Sequence, residues 1–207
     1  LELWIKLGLF EREKLIYEEH LRQGNLTKVY WLTYGCNDTK ISNKLISEEK
    51  LNSKIVVIGM PKIMNIPKIG NYIYSILMPF IYPRILLSAD LYKTNQMDGS
   101  WSAVLSKLLY RKVLVLRTGY CASQLACSKS ANNVKCIWFK VVEKCAYKFC
   151  DLAVVSSNHN NDYIKEKYGL DDNETSVLSN YIDLNLFQPN NTVEKVEDRI
   201  LYVGRLN

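Results

Sequence analysis

Polar residues follow two of the apolar segments in the sequence, at points where a ligand could reach their side chains. Asn95, Gln96 and Gly99 connect a predicted strand to the start of a predicted helix. The two amide side chains could bind the hydroxyl groups of a sugar, but asparagine in such a connection is also an ordinary helix cap. Binding and capping are therefore alternative predictions for this segment.

A second group of candidate residues closes the next apolar strand, where Arg117, Gly119 and Tyr120 follow one another closely. Gly119 has no side chain, so a substrate could approach its backbone. A tight turn beside a solvated arginine explains the same residues equally well. The sequence alone leaves both interpretations open.

Serine and glutamate residues further along the chain could suggest other chemistry. Ser156 and Ser157 lie close to His159, but no glycines flank them as the nucleophile turn of an α/β hydrolase requires. We therefore expect them to cap the following helix. Glu143 beside Lys144 is expected to form a solvated ion pair rather than to act as a catalytic acid.

The cysteine and histidine residues do not predict a metal site. None of the six cysteines forms a C-x-x-C pair, and the two histidines are far apart or offer only one partner. Because the chain has ample apolar material for a core, it needs no disulfides, and we expect reduced cysteines in a reducing compartment. Cys145 and Cys150 are expected to be small buried residues on one helix.

Composition and charge are those of an ordinary globular protein. The 207 residues are 48% hydrophobic and 23% charged, with a net charge of +6. The mild excess of positive charge suits an anionic small molecule or an anionic membrane surface. We predict no nucleic-acid partner, because no reading motif or dense basic stripe is present.

One strongly apolar segment, 71–87, raises the question of membrane contact. It is short and is interrupted by Pro79, Pro83 and Arg84, so it should not span a bilayer. A helix buried in the protein is the favoured interpretation, and a helix on the membrane surface is the alternative.

Strand-like and helix-like segments alternate along the chain and define the elements that would hold these residues. Predicted strands cover 28–35, 54–61, 89–95, 112–119, 151–157 and 175–180. One helix is predicted from Leu3 to Leu21, and others over 99–109, 138–149 and 158–169. The inward faces of the 99–109 and 138–149 helices are expected to carry Trp101, Val104, Leu105, Leu108, Leu109, Trp138, Val141, Val142, Cys145 and Phe149. Since several strands are apolar on both faces, we predict an α/β, Rossmann-like parallel sheet with helices on both faces.

The order of short motifs in the second half resembles the central part of family 4 glycosyltransferases, which have the GT-B architecture. The segments that carry this resemblance are "DLAVVSSNHNNDYIKEKYG", "SVLSNYIDLNLFQP" and "ILYVGRLN". The matching positions are Ser156, Asn180, Asp183, Phe187, Pro189 and 203–206. Upstream, "WIKLGLFEREKLIYEEHLRQG" and 89–120 are similar to the first domain of one branch of that family.

The resemblance implies a domain organisation. Residues 1–180 would form an N-terminal acceptor-side domain whose first strand is missing, 181–198 an interdomain linker, and 199–207 the first strand of a truncated donor-binding domain. The full-length protein would transfer a sugar, with retention, from a nucleotide-diphosphate sugar to a glycan or lipid-linked acceptor. No metal or cofactor is implied, and the location would be cytoplasmic, at the inner face of the membrane.

The resemblance also assigns roles to residues. Gly204 and Arg205 would contact the donor diphosphate, although a strand-end arginine can also be an ordinary surface residue. The substrate-binding residues would be Asn95, Gln96, Gly99, Arg117, Gly119, Tyr120 and Ser156. Family members often place a histidine near Gly119 and Tyr120, and this sequence does not. Catalytic residues are expected beyond Asn207, so the 207 residues alone should be inactive.

Two alternatives from other classes stay open. The chain could be a non-catalytic α/β binding module for an anionic ligand or a protein partner. It could also be a scaffold that docks on membranes through 71–87.

Overall fold

The structure is a computed structural model that describes residues 1–127, 134–184, 188 and 198. Nine α-helices and six strands occur in these residues. In chain order they are α1 (Glu2–Lys6), α2 (Phe10–Arg22), β1 (Val29–Leu32), α3 (Asp38–Ser47), β2 (Ile55–Ile58), α4 (Gly70–Ile81), α5 (Pro83–Ser88), β3 (Leu91–Lys93), α6 (Ser100–Tyr110), β4 (Val113–Thr118), α7 (Ala122–Cys127), α8 (Val134–Phe149), β5 (Leu152–Val155), α9 (Asn158–Tyr168) and β6 (Thr175–Val177). Three short 3-10 helices, Lys62–Met64, Met97–Gly99 and Asp172–Glu174, complete the list.

All strand pairs within the described residues are parallel, which confirms the predicted α/β class. β1 pairs with β2, and a separate sheet has the order β3-β4-β5-β6. The sequence suggested one continuous sheet, whereas the described backbone forms two. Leu32 at the end of β1 packs against the core of the larger sheet, so side chains join the two units.

The larger core surrounds the central strands of the four-stranded sheet. Leu114 and Leu116 of β4 and Ala153 of β5 are completely buried. Side chains from α6, α8 and α9 cover them, including Val104, Ala146 and Ile164. These central strands are apolar because helices exclude water from both faces of a parallel sheet. A smaller core lies around β1 and β2, with Phe10 and Leu21 of α2 packed on it.

The single helix predicted from Leu3 to Leu21 is wrong. α1 ends at Lys6 and α2 begins at Phe10, because Gly8 adopts a φ of +67° that no helix contains. Leu3 and Leu7 are consequently exposed rather than part of an inward stripe. Gly24, at φ +77°, follows the end of α2, where a glycine commonly terminates a helix.

The predicted inward faces of α6 and α8 are wrong in part. In α6, Leu108 and Leu109 are exposed, while Ser102 and Ser106 are buried together with Val104. Small side chains at these positions allow close packing, and the Ser106 Oγ donates a hydrogen bond to the Ser102 carbonyl, 2.9 Å.

In α8, Val142 is buried as predicted, but Trp138, Val141 and Cys145 are exposed. The buried face instead carries Cys136, Val142, Glu143, Ala146 and Tyr147. The hydrophobic spacing of α8 predicts the wrong face because Glu143, a polar residue expected in solvent, lies on the inward face.

The cysteines also differ from expectation. Cys127 and Cys136 form a disulfide with a Cα–Cα distance of 4.9 Å, at the end of α7 and in the first turn of α8. Cys36, Cys121, Cys145 and Cys150 are free, and Cys145 is exposed rather than buried.

The apolar segment 71–87 forms α4 and α5. One face is buried, with Tyr74, Pro79 and Leu86, and another is exposed, with Tyr72, Ile76 and Phe80, so the favoured interpretation of a buried helix is correct for one face only. Within the described residues, none of the helices has the length and apolar character needed to cross a membrane.

Candidate functional site

The candidate site lies where β3 and β4 end, at the carboxyl edge of the four-stranded sheet. Thr94 prolongs the pairing beyond β3, since its N–H donates to the Val115 carbonyl at 3.1 Å. Its hydroxyl donates to the Arg117 carbonyl and accepts from the Arg117 N–H, each at 3.1 Å. Asn95 therefore follows directly beside Arg117. Open α/β sheets bind their ligands outside this edge.

Helix α2 completes the site from above the edge. Glu13 and Tyr17 are four residues apart and thus on the same face of the helix. The Tyr17 hydroxyl donates to Asn95 Oδ1 at 3.1 Å, and the Lys93 ammonium donates to the Tyr17 hydroxyl at 2.8 Å and to Asn95 Oδ1 at 2.7 Å. We call Glu13, Tyr17, Lys93, Asn95 and Arg117 the edge cluster.

Positive charge exceeds negative charge in the edge cluster. Glu13 and Arg117 are 7% and 8% exposed, and their closest charged atoms are 3.9 Å apart. Glu13 also accepts from the guanidinium of Arg12 at 2.7 Å and from the amide of Asn95 at 3.5 Å. The one carboxylate of the cluster thus faces two cations, the half-buried Lys93 and the buried Arg117, and its closest charged contact is with a third cation, Arg12.

Burial changes the acid–base properties of this cluster. Desolvation, with the nearby Arg117 guanidinium as a second cause, lowers the pKa of Lys93 to about 8, against a smaller opposing effect of Glu13. Burial also raises the pKa of Tyr17, so its hydroxyl stays neutral and can both donate and accept. Arg117 lies 5.9 Å from the ring centre of Tyr181, whose pKa is raised by burial and then by Glu13.

The structure excludes helix capping as the role of the Asn95 side chain. Neither the 3-10 helix Met97–Gly99 nor α6 has a side-chain cap. The Asn95 side chain instead joins the edge cluster. Gly99 directly precedes α6, and a side chain added there would meet no neighbour. Gln96 is exposed beside Gly119.

Gly119 and Ser156 meet at the same edge, one strand further along. The Ser156 hydroxyl donates to the Gly119 carbonyl at 2.8 Å. A methyl group added at Gly119 would lie 3.9 Å from the Gln96 amide nitrogen, an ordinary contact, so packing within the protein does not demand glycine here. Ser157, not Ser156, caps α9 by accepting from the Asn160 N–H at 3.2 Å. Tyr120 is 44% exposed beside this group.

The structure therefore brings most of the predicted substrate residues to one edge: Asn95, Gln96, Arg117, Gly119 and Ser156. Sequence reasoning missed Glu13, Tyr17, Lys93 and Tyr181. One feature of the sequence could have identified two of these residues. Glu13 and Tyr17 are one helical turn apart on a face of the first predicted helix that is otherwise apolar. Gly204 and Arg205, together with Phe187, Pro189 and 203–206, lie outside the described residues.

The expected solvated pair of Glu143 and Lys144 is wrong. Glu143 is completely buried and accepts from the Ser123 N–H at 2.8 Å and from the Tyr168 hydroxyl at 2.6 Å. The Lys167 ammonium lies 3.7 Å away. Glu143 thus joins α7, α8 and α9, which is a structural role. In the parts of the chain that the structure describes, no group of three or more His, Cys, Asp or Glu side chains could hold a metal ion.

Comparisons with known proteins add no family assignment. The chain matches no family model and no curated protein.

Proposed function

We propose that the chain is the acceptor-side lobe of a retaining glycosyltransferase that uses a nucleotide-diphosphate sugar. The observation that supports this proposal best is the edge cluster, a set of buried and half-buried hydrogen-bonding and cationic side chains at the carboxyl edge of a parallel sheet. The motif order from Ser156 onward supports the same family.

The reaction makes two demands on such a site. The bond between the anomeric carbon and the diphosphate oxygen breaks, and the diphosphate leaves with the electron pair. The acceptor hydroxyl oxygen bonds to the anomeric carbon, and its proton passes to a phosphate oxygen of the leaving diphosphate. Fixed cations lower the barrier because negative charge grows on the leaving group, and they need no metal ion to do so.

The edge cluster has side chains suited to stabilising the charge of the leaving diphosphate and to binding sugar hydroxyls. Arg117 is held by Glu13 and by the ring of Tyr181, so its charge is fixed in position. Asn95 and Lys93 present amide and ammonium groups of the kind that bind sugar hydroxyls. In this proposal, Gly204 and Arg205 contact the diphosphate from a donor-binding lobe, and the remaining catalytic groups belong to that lobe. The protein acts at the cytoplasmic face of a membrane on a glycan or lipid-linked acceptor.

A donor screen tests the proposal. The gene is expressed with any sequence that continues its reading frame after Asn207, and the protein is incubated with UDP-glucose, UDP-galactose, UDP-N-acetylglucosamine and GDP-mannose. We expect release of nucleoside diphosphate with at least one donor, and we expect none from the 207 residues alone. No release with any donor, or a further lobe without a second α/β unit, would count against a transferase.

A second candidate is a non-catalytic module that binds an anionic ligand. The two cations of the edge cluster, Lys93 and Arg117, outnumber its one carboxylate, Glu13, and this excess of positive charge favours such a module. Calorimetric titration with inorganic pyrophosphate separates the two candidates. A module would bind pyrophosphate through Lys93 and Arg117 and would turn over no donor. Turnover would exclude it.

A further inference from the structure

Helix α4 is partly exposed to solvent but lacks the charged face that a helix on a protein surface normally has. Its twelve residues include no charge, and a surface helix normally turns a polar face to solvent. The face that it buries carries Gly70, Tyr74, Ser75 and Pro79. The opposite face carries Tyr72, Ile76 and Phe80, at 56%, 49% and 57% exposure and at successive turns of the helix.

Helix α8 extends this exposed surface. Trp138 makes edge-to-face contacts with Tyr72 of α4, 6.4 Å between ring centres, and with Trp101 of α6, 6.0 Å. Beside Trp138, Ile137 and Val141 are each 54% exposed. We call Tyr72, Ile76, Phe80, Ile137, Trp138 and Val141 the apolar face. Exposed apolar surface that is continuous across two helices marks a contact site.

The charges around the apolar face are basic. α8 contains Lys135, Lys140, Lys144 and Lys148, and its one carboxylate, Glu143, is completely buried. The segment 62–88, which includes α4 and α5, contains Lys62, Lys68 and Arg84 and no Asp or Glu. An occupant of this face must therefore be apolar at its centre and anionic around it.

We propose that the apolar face docks the protein on the surface of an anionic lipid bilayer. Aromatic and aliphatic side chains would enter the boundary between headgroups and acyl chains, and the lysines would contact anionic headgroups. A twelve-residue helix is about 18 Å long, too short to span, so α4 lies in the plane of the interface. A second copy of the chain is a poorer occupant, because a symmetric contact would bring the lysines of both copies together. This inference deepens the membrane location in the proposed function by naming the docking surface, but its evidence is the surface of α4 and α8 and not the edge cluster, so vesicle binding and donor turnover can fail independently.

Vesicle co-sedimentation tests the proposal. Wild-type protein is mixed with vesicles of phosphatidylcholine alone and with vesicles that also contain phosphatidylglycerol. We expect sedimentation with the anionic vesicles and at least about tenfold weaker binding without phosphatidylglycerol, since each basic residue near the surface contributes about 1 kcal/mol. Two double variants, Ile76→Ser with Phe80→Ser and Lys144→Glu with Lys148→Glu, should each weaken binding by at least about tenfold.

Matched controls lie on other surfaces. Leu3→Ser removes a side chain that is 64% exposed on α1, and Lys40→Glu with Lys54→Glu reverses two exposed lysines elsewhere. These controls should bind as wild type. Circular dichroism establishes that each variant is folded. As a second measurement, brominated lipid should quench tryptophan fluorescence in the wild type, and Trp138→Phe should lose most of that quenching.

Three outcomes would overturn the proposal: no binding to anionic vesicles, equal losses in the control variants, or quenching that survives in Trp138→Phe. Light scattering measures the oligomeric state and so tests the alternative that a second copy of the chain occupies the apolar face. A wild-type dimer that becomes monomeric in the Ile76→Ser, Phe80→Ser variant and binds no vesicles would assign the face to a second copy.

Discussion

Lys93 offers a quantitative test of the edge cluster, because its ammonium is desolvated and close to another cation. The ordinary lysine pKa is 10.5, and that of Lys93 is lowered to about 8. As pH rises through about 8, the folded protein releases this proton while the unfolded chain still holds it. Stability from this group therefore increases with pH until the unfolded lysine also loses its proton. Below about pH 7 both states are protonated, and the contribution is constant.

The size of the effect follows from the two pKa values. Between about pH 7 and about pH 9.5 the free energy of unfolding should rise by about 2 kcal/mol through Lys93 alone. Other groups act in the opposite direction. Burial raises the pKa of Cys121 and Cys150 to about 11, so folding keeps these protons and stability falls when the unfolded thiols ionise. The comparison must therefore be a difference between two proteins.

The variant Lys93→Met keeps the aliphatic length and removes the ionisable amine. Urea unfolding of wild type and Lys93→Met across this pH range gives the difference in unfolding free energy. We expect that difference to shift by about 2 kcal/mol in favour of the wild type as pH rises. Lys40→Met, at an exposed position of α3, serves as the control and should show no such shift.

A difference for Lys93→Met that stays constant within about 0.5 kcal/mol would refute the reasoning. It would mean that water reaches the Lys93 amine and that the edge cluster is not the desolvated site described here.

Three further predictions concern the scaffold. Glu143→Ala leaves the Ser123 N–H and the Tyr168 hydroxyl without their buried acceptor, and it should lower the free energy of urea unfolding by about 3 kcal/mol. The control Glu166→Ala, at an exposed position, should lower it by less than about 0.5 kcal/mol. Equal losses in the two variants would contradict the structural role of Glu143. Gly59→Ala places a methyl group in steric conflict with the Gly35 carbonyl oxygen, and it should destabilise the protein by about 2 kcal/mol. Gly119→Ala meets only an ordinary contact and should be neutral within about 0.5 kcal/mol. Thermal denaturation in which Gly119→Ala is the less stable variant would contradict the packing described around these two glycines. Thiol titration of the unfolded protein without reductant should find four reactive cysteines, with two more after reduction, and six at the outset would exclude the Cys127–Cys136 disulfide.

Elements whose burial matches their hydrophobic period were predictable from sequence. β5 and residues 113–116 of β4 are continuous apolar segments, and their centres are buried beneath helices. α9 has both a serine cap and a terminal glycine at φ +70°. α3 could not be predicted, since its segment is polar. Its first residue, Asp38, is nevertheless buried.

The candidate site was partly predictable for a similar reason. Asn95 and Arg117 follow apolar strands, so chain order alone places them at a sheet edge. Glu13 and Tyr17 belong to a distant helix whose approach to β3 depends on tertiary packing, which no local pattern encodes. The apolar face was misread because a helix period shows which residues share a face but not which face meets the core.

The most direct test of the edge cluster as a substrate site is kcat/KM for Arg117→Met, measured as nucleoside diphosphate release on whichever donor the wild type uses. We expect a loss of about a hundredfold or more, because a fixed cation at developing charge is removed. Arg22→Met, at an arginine that is 73% exposed on α2, should behave as wild type. Unchanged kcat/KM in folded Arg117→Met, or equal losses in the two variants, would contradict the assignment.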